Sequence, residues 1–271
     1  MTMVPGMGLD VDMDGAVQRI RLNFPESRNA IDNDTAVALT ELFRAANLDR
    51  SIRAILVTGV DRDFCTGGGA NVPKPRGDAA DALAPSLMDY RFGTHLFQNL
   101  FAAYWEIEKP VVSAVNGTVA GAGWMLALLA DLVVAAEDAR WTHVFTKRGM
   151  IPHAGDPFFL PRVLPFHFLN EIAMLGDTVV SQDLHRVGAV NRLVPAAEVE
   201  ATARTLAVRL AEGPTRSLGQ AKRLYRRSLE CDMRTAFGEE TAAATMLTTT
   251  HDRTEGVQSF LERRPAVFTG D

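Results

Sequence analysis

The chain has 271 residues, of which 47% are hydrophobic and 23% are charged, so it is long enough for one large domain with a substantial core. Its formal net charge of −5 argues against nucleic acid as a main partner, because such partners need a basic surface. Cys65 and Cys231 have no metal-binding spacing, and the first residues show no secretory signal. We therefore expect a cytoplasmic protein without a bound metal.

The order of the predicted elements is typical of an α/β fold. Residues 11–24 alternate with period two around Gly15, which predicts a β-hairpin, and Asp32 or Asn33 can cap a helix over 35–47. The segments that follow alternate between strands and helices, with glycine-rich turns after the strands. They are a strand over 52–59, a helix over 86–108, a strand over 111–115, a buried helix over 124–129 and a strand over 132–136.

The later part of the chain becomes helical. The pattern predicts a short strand over 139–143, helices over 158–164 and 166–175, and a helix end turning into a strand over 184–194. Only helices are predicted beyond residue 197, over 198–212, 214–230, 233–251 and 254–263. We therefore divide the chain into an α/β core over 1–198 and a helical C-terminal region over 199–271.

One uncharged stretch, residues 111–130, is long enough to span a bilayer. Asn116, Gly121 and Gly123 interrupt any continuous helix within it, and Asp131 follows immediately. The stretch is better explained as a strand, a turn and a helix in the core of a water-soluble protein. We expect no membrane partner.

Two glycine-rich corners, residues 64–70 and 116–123, have neither the spacing of a dinucleotide-binding loop nor that of a P-loop. Two such loops can direct two backbone N–H groups at one oxygen. That arrangement is an oxyanion hole, which stabilises negative charge on a carbonyl oxygen by roughly 3–4 kcal/mol per donor. The glycines can equally serve only for tight turns and close packing. The residues alone leave both interpretations open.

Nearly the whole chain, about residues 11–268, resembles the crotonase superfamily, also called the enoyl-CoA hydratase/isomerase family. The resemblance depends on the order and spacing of several segments, which begin with the Arg-Asn-Ala sequence at 28–30 and end at Pro265. The others are 53–59, the first corner at 64–68, residues 109–117, 121–123, Asp131 and the Gly-Met-Ile-Pro sequence at 149–152.

This resemblance implies a crotonase-like superhelical spiral of ββα units, followed by a helical C-terminal trimerisation region. It implies a homotrimer or a dimer of trimers, a place in fatty acid metabolism, and an acyl-CoA thioester as substrate. Coenzyme A would be part of that substrate, with no separate cofactor. The two oxyanion-hole amides of the family fall on Thr66 and Ala122. The residues implied to line the acyl pocket are Gly67, Gly68, Ala70, Gly121 and Trp124.

The chain departs from the family at both acid/base positions. Hydratases of the family place one Glu where this chain has Met125 and a second where it has Phe145, four residues before Gly149. Neither side chain transfers protons, although both would still line the substrate pocket. Water addition by the usual two-carboxylate route is therefore not expected.

The loop at 151–157 supplies candidate replacements. Some family isomerases and a dehalogenase carry Asp at the position of His153, and a β-diketone hydrolase carries Pro-Gly-Asp close to Asp156. Asp156 is our preferred catalytic base, and His153 is the second candidate because imidazole titrates near neutral pH. Alternatively, Asp156 caps a helix that begins at Pro157, and His153 is an exposed loop residue. His143 is a weaker candidate, since an extended segment was expected to turn it away from residue 145.

Three residues match the family's contacts to coenzyme A. Arg28 corresponds to the basic residue that approaches the phosphates. Arg264 and Phe268 correspond to C-terminal positions that reach the coenzyme A of a neighbouring subunit. Each arginine can also be an ordinary surface charge. A basic run, Lys222, Arg223, Arg226 and Arg227, is predicted to be a solvated helix face rather than a phosphate site.

The predicted function is oxyanion-hole catalysis on an acyl-CoA thioester, as a lyase or isomerase of this family, with Asp156 and His153 as the proton-transfer groups. A second hypothesis is hydrolysis or carbon–carbon bond cleavage of a β-keto or cyclic diketone substrate. A third is an inactive homologue that binds acyl-CoA.

Overall fold

The computed structural model describes residues 2, 3, 8–68 and 87–271. The strands are β1 (Thr2–Met3), β2 (Leu9–Asp14), β3 (Val17–Leu22), β4 (Ala54–Gly59), β5 (Asp63–Cys65), β6 (Val111–Val115), β7 (Thr118–Ala120), β8 (Leu132–Ala136), β9 (Arg140–Thr142), β10 (Thr178–Val180) and β11 (Arg192–Val194). The helices are α1 (Asn33–Leu48), α2 (Leu87–Glu106), α3 (Gly123–Leu128), α4 (Asp156–Val163), α5 (Phe166–Leu175), α6 (Ser181–Arg186), α7 (Val199–Ala211), α8 (Thr215–Arg227), α9 (Met233–Leu247) and α10 (His251–Glu262).

The larger sheet has the strand order β1-β2-β3-β4-β6-β8-β11. It is parallel from β3 to β11, and β2 and β3 form the predicted antiparallel hairpin. All residues of β4 and β6 are buried, as expected for parallel strands that helices cover on both faces. Helix α1 begins at the predicted cap, where the Asp32 carboxylate accepts a hydrogen bond from the Thr35 N–H at 2.8 Å.

A second sheet, in the order β10-β9-β7-β5, positions both glycine-rich corners. Its strands have only three residues each, too short for an alternating pattern to reveal. β5 pairs in parallel with β7, so the two strands end at the same edge of the sheet. The first corner follows β5 and the second follows β7. The pairing therefore brings the corners together.

Every residue of α3 is buried, as predicted for the apolar segment after the second corner. Within the described ranges, no helix has both the length and the hydropathy that a bilayer crossing requires.

The C-terminal helices begin with one that belongs to the core packing. The buried positions of α7 recur every four residues, at Val199, Ala203, Ala207 and Ala211, and the helix contacts β4, β6 and β8. The predicted division after residue 198 therefore separates a helix from the sheet on which it packs. Whether α8 to α10 form an oligomerisation region stays a prediction.

Asp131, directly before β8, joins α8 to the core. Its carboxylate lies 2.6 Å from Lys222 Nζ and 3.1 Å from Arg226 Nη2, and it also accepts the Val111 N–H at 2.8 Å. The Arg226 guanidinium stacks 4.2 Å above the centre of the Trp105 ring. This polar cluster ties α8 to the end of α2 and the start of β6.

The prediction that the basic run is a solvated helix face is therefore wrong for Lys222 and Arg226. The Lys222 side chain is only 8% exposed, and its burial lowers its pKa to about 8 against the opposing effect of Asp131. Arg223 and Arg227 do lie on the surface, where both pair with Glu239. Positions 222 and 226, four apart on α8, thus face the core. The sequence does not indicate this, because lysine and arginine usually mark the solvated face of a helix.

Candidate active site

The two glycine-rich corners are in direct contact. Gly67 has a φ of +99°, and a Cβ at this position would lie 2.9 Å from the Ala120 carbonyl oxygen and 3.1 Å from the Ala122 nitrogen. A Cβ at Gly123 would lie 2.2 Å from the Cys65 carbonyl oxygen. Only glycine allows the backbones to approach this closely, so these glycines serve tight turns and close packing, and the oxyanion hole stays a prediction.

The directions of the corner amides follow from their neighbours. The Gly67 carbonyl accepts the Ile31 N–H at 2.8 Å, and in a trans peptide the Gly68 N–H points the opposite way. The Cys65 carbonyl faces Gly123, so the Thr66 N–H points away from the second corner. The Thr66 hydroxyl is also engaged elsewhere, since it donates to the Arg28 carbonyl at 3.0 Å.

The second predicted donor, Ala122, directly precedes α3 and is buried. No described residue accepts a hydrogen bond from its N–H. The first amides of a helix have no partner within the helix, so this N–H remains available to a ligand. Gly121 (φ +50°) provides the turn that directs the chain into α3.

Met125 and Phe145, the residues that the resemblance sets at the two Glu positions, are both buried. Met125 lies in the first turn of α3. Phe145 follows β9, and its ring packs against His143, at 5.1 Å between ring centres, and against His153, at 4.9 Å. Trp124 lies 6.1 Å from His143 and forms with Phe145 an apolar wall beside that histidine. Buried hydrophobic side chains thus occupy both positions.

Asp156 and His143 form a buried pair. Asp156 Oδ2 lies 2.9 Å from His143 Nε2, and the two side chains are 3% and 0% exposed. Asp156 is the first residue of α4, and the helix is capped by Gly155, which makes no side-chain hydrogen bond. The alternative that Asp156 caps this helix is therefore wrong, because its carboxylate binds the histidine instead.

Gly155 directs the Asp156 side chain inward. It has a φ of +96°, and a Cβ there would lie 2.7 Å from the Phe159 ring. His153 lies nearer the surface on the same loop, where its Nδ1 is 3.0 Å from the Ile151 carbonyl oxygen. The interpretation of His153 as only an exposed loop residue is incomplete, since its ring also packs on Phe145.

Sequence reasoning underestimated His143. It was expected to turn away from residue 145, yet the two rings are in contact. Residues two apart in an extended segment share a face, and this rule was the available signal. Nothing in the sequence indicates the hydrogen bond between His143 and Asp156, because the two residues are thirteen positions apart and a loop separates them.

The residues predicted to bind coenzyme A all have partners within the chain. Arg28 forms a two-point ion pair with Asp63, at 2.8 and 3.1 Å, which raises the pKa of the guanidinium. This pair borders a surface cavity of about 530 Å³. Arg264 pairs with Glu255 and Glu262, each at 2.6 Å.

The remaining predicted residues either pack against neighbouring residues or lie outside the described part of the chain. Phe268 packs on Gly256, and its carbonyl accepts a hydrogen bond from Arg53 at 3.2 Å. Gly68 lies beside the Phe97 ring. Ala70 lies outside the described residues.

Comparisons with known proteins agree with this fold. A sequence model of the enoyl-CoA hydratase/isomerase family matches residues 12–271. The 1,2-epoxyphenylacetyl-CoA isomerase of Escherichia coli K12 is 34% identical over 94% of this chain and 95% of its own. The carnitinyl-CoA dehydratase of Salmonella enteritidis is 31% identical over 97% and 98%. A crystal structure of an enoyl-CoA hydratase from Polaromonas sp. JS666 superimposes with a TM-score of 0.86 at 26% identity, over 96% of this chain and 99% of that one. The mixed α/β architecture with its parallel sheet is the crotonase fold, and the chain belongs to the enoyl-CoA hydratase/isomerase family.

Proposed function

We propose that this protein forms an enolate from an acyl-CoA thioester and moves a proton on the acyl chain with Asp156 as the base. The family acts on acyl-CoA thioesters. The observation that carries the proposal is the contact between Gly67 and the Ala122 amide, which brings two backbone corners to one point. Such a point suits a carbonyl oxygen that gains negative charge.

The two donors in this proposal are the N–H groups of Ala122 and Gly68. The sequence comparison favoured Thr66 in the first corner. The Gly68 N–H is the better supported choice, because it points away from Ile31, whereas the Thr66 N–H points away from the second corner. Both donors are backbone groups. The hole therefore depends on chain conformation and not on side-chain identity.

In the proposed reaction Asp156 removes a proton from the carbon next to the thioester carbonyl. The electrons of the broken C–H bond move into the carbonyl, and the resulting oxyanion accepts hydrogen bonds from the two amides. In a substrate with a β,γ double bond, Asp156 then returns the proton to the γ-carbon while the double bond moves to the α,β position and the carbonyl re-forms, so atoms and charge balance without a co-reactant. Isomerisation fits best, because Met125 and Phe145 provide no carboxylate to hold and activate water.

His153 is the second proton-transfer candidate. Like His143, it packs against the Phe145 ring, but it lies nearer the surface. A role in proton exchange with solvent is compatible with this position.

One observation favours a second candidate function, that of an acyl-CoA binder without turnover. The Asp156 side chain is only 3% exposed and is held by His143, so a substrate reaches it only if the surrounding wall opens. In this case the buried pair has a structural role, and the two corners bind the thioester carbonyl without chemistry.

Exchange of the substrate α-proton in D₂O distinguishes the two functions. The protein is incubated with a panel of aliphatic, aromatic and β-keto acyl-CoA thioesters, and deuterium incorporation is followed by mass spectrometry. Binding is measured in parallel by calorimetry. The proposal predicts enzyme-dependent exchange, or a rearranged product, with at least one thioester that binds. Binding across the panel with no exchange would contradict the proposal and support the inactive binder.

A further inference from the structure

We infer that His143 is a positioning residue that holds the Asp156 carboxylate in the orientation needed for proton transfer. The inference rests on the proposed function, because it assigns a role to a partner of the proposed base. His143 belongs to neither of the Glu positions of the family and to no predicted contact with coenzyme A.

The first supporting observation is that His143 has a fixed position. Its ring is fully buried and packs against two aromatic side chains, Trp124 at 6.1 Å and Phe145 at 5.1 Å between ring centres. Its Nε2 lies 2.9 Å from Asp156 Oδ2. A fully buried, close-packed ring has little freedom to rotate, so it fixes the orientation of the carboxylate that it binds.

The second observation identifies the proton on the ring. The other nitrogen, Nδ1, is buried and has no hydrogen-bond partner among the described residues. A buried N–H without an acceptor is rare and unfavourable, whereas a lone pair without a donor is tolerated better. Nδ1 is therefore the unprotonated nitrogen. The proton is on Nε2, where it is donated to Asp156, and the carboxylate accepts it in its ionised form.

The third observation is that Asp156 is buried and is held by this hydrogen bond. Among the ion pairs of the described residues, Asp156 appears only in the pair with His143. A buried carboxylate that loses its donor is poorly compensated, so its side chain gains by turning toward water. That movement takes the base out of position. His143 thus acts through Asp156 and need not touch the substrate.

Two substitutions separate this role from simple packing. His143→Phe keeps an aromatic ring in the wall and removes the hydrogen-bond donor. His143→Gln retains an amide N–H close to the position of Nε2. We expect His143→Phe to lower kcat for α-proton exchange by about 10²-fold with little change in KM, since the loss concerns proton transfer and not binding. His143→Gln should recover most of the rate.

His185→Gln is the matched control, because His185 also makes a short ring-nitrogen hydrogen bond, at 2.7 Å from the Val190 carbonyl oxygen, at another place in the fold. It should leave kcat unchanged. Full activity of His143→Phe, or equal losses in His143→Phe and His143→Gln, would overturn the inference. Asp156→Asn is measured beside them. If exchange survives that change, the proposed function itself fails, whereas loss in Asp156→Asn with full activity in His143→Phe refutes only the role of His143.

A measurement on the unmodified protein covers the case in which a variant does not fold. The ¹⁵N NMR signals of the His143 ring should show a protonated Nε2 and an unprotonated Nδ1 at neutral pH. A protonated Nδ1 would overturn the inference without any substitution.

Discussion

Gly67 and Ala122 belong to corners that lie 55 residues apart in the chain, and a side chain on the first would place its Cβ 3.1 Å from the amide nitrogen of the second. Parallel pairing of β5 with β7 produces this contact. Both corners leave the small sheet at the same edge, and the proposed oxyanion hole lies there. The site therefore depends on glycine at 67.

Gly67→Ala should abolish α-proton exchange. The added methyl group lies too close to the Ala120 carbonyl oxygen and the Ala122 nitrogen, so the corners must separate. The positive φ adds roughly 1–2 kcal/mol of backbone strain. Gly149→Ala is the control, because Gly149 also has a positive φ (+64°) but a Cβ there meets nothing within 4 Å. Similar exchange rates in the two variants would show that the contact is not needed for catalysis.

The protein should not hydrate crotonyl-CoA at a rate comparable to its proton exchange. Met125 and Phe145 cannot hold or activate a water molecule, and both side chains are buried. The decrease of the enoyl-thioester absorbance measures hydration directly. Rapid hydration would mean that another group, such as His153, activates water.

Removal of the Arg28 side chain should weaken binding of the whole substrate without affecting the chemical step. Its side chain is 60% exposed beside Asp63, so it remains open to a phosphate. For Arg28→Ala we expect KM for a CoA thioester to rise roughly fivefold, about 1 kcal/mol of exposed charge interaction, with kcat unchanged. A truncated thioester without phosphates is the control and should show no difference. If KM for both substrates changes equally, Arg28 acts on the fold and not on the phosphates.

Because of Lys222, the free energy of unfolding should change with pH in the alkaline range. Its pKa is about 8 in the folded protein, and the ordinary value of 10.5 applies after unfolding. Between these values the unfolded chain binds more protons than the folded one. The free energy of unfolding therefore rises as pH increases from about 8 toward 10.5, by roughly 1.4 kcal/mol per pH unit from this group. Below pH 8 the charged lysine is present in both states and the contribution is constant.

Urea unfolding at several pH values between 7 and 10 tests this dependence. Lys222→Met should remove most of the rise, since methionine fills a similar volume without a charge. Lys147→Met is the control, because Lys147 forms an exposed ion pair with Asp177. An equal pH slope in the wild type and Lys222→Met would contradict the assignment.

The sequence predicted most of the fold because long apolar segments determine it. The buried strands β4 and β6, the hairpin and helix α1 with its cap at Asp32 all agree with the predicted elements within a few residues. The strands β5, β7 and β10 were not predicted, since three residues carry no period. Their pairing is set by contacts between distant segments, and it is this pairing that joins the corners.

The candidate site was predicted only in part, for physical reasons that individual residues show. Asp156 was selected as an ionisable residue in the right loop, but its orientation depends on the positive φ of Gly155 and on the position of His143. The amide direction at Gly68 depends on a hydrogen bond from Ile31 to the neighbouring carbonyl. The residue types alone predict neither the orientation of Asp156 nor the direction of the Gly68 N–H, because tertiary packing fixes both.

The central claim is that Asp156 is the base, and α-proton exchange by Asp156→Asn tests it most directly. Asparagine keeps the size of the side chain but cannot accept a proton at neutral pH. We predict that the exchange rate falls by about 10²-fold or more, while the thioester binds with unchanged affinity. An Asp156→Asn protein that exchanges the α-proton at the wild-type rate would contradict the account.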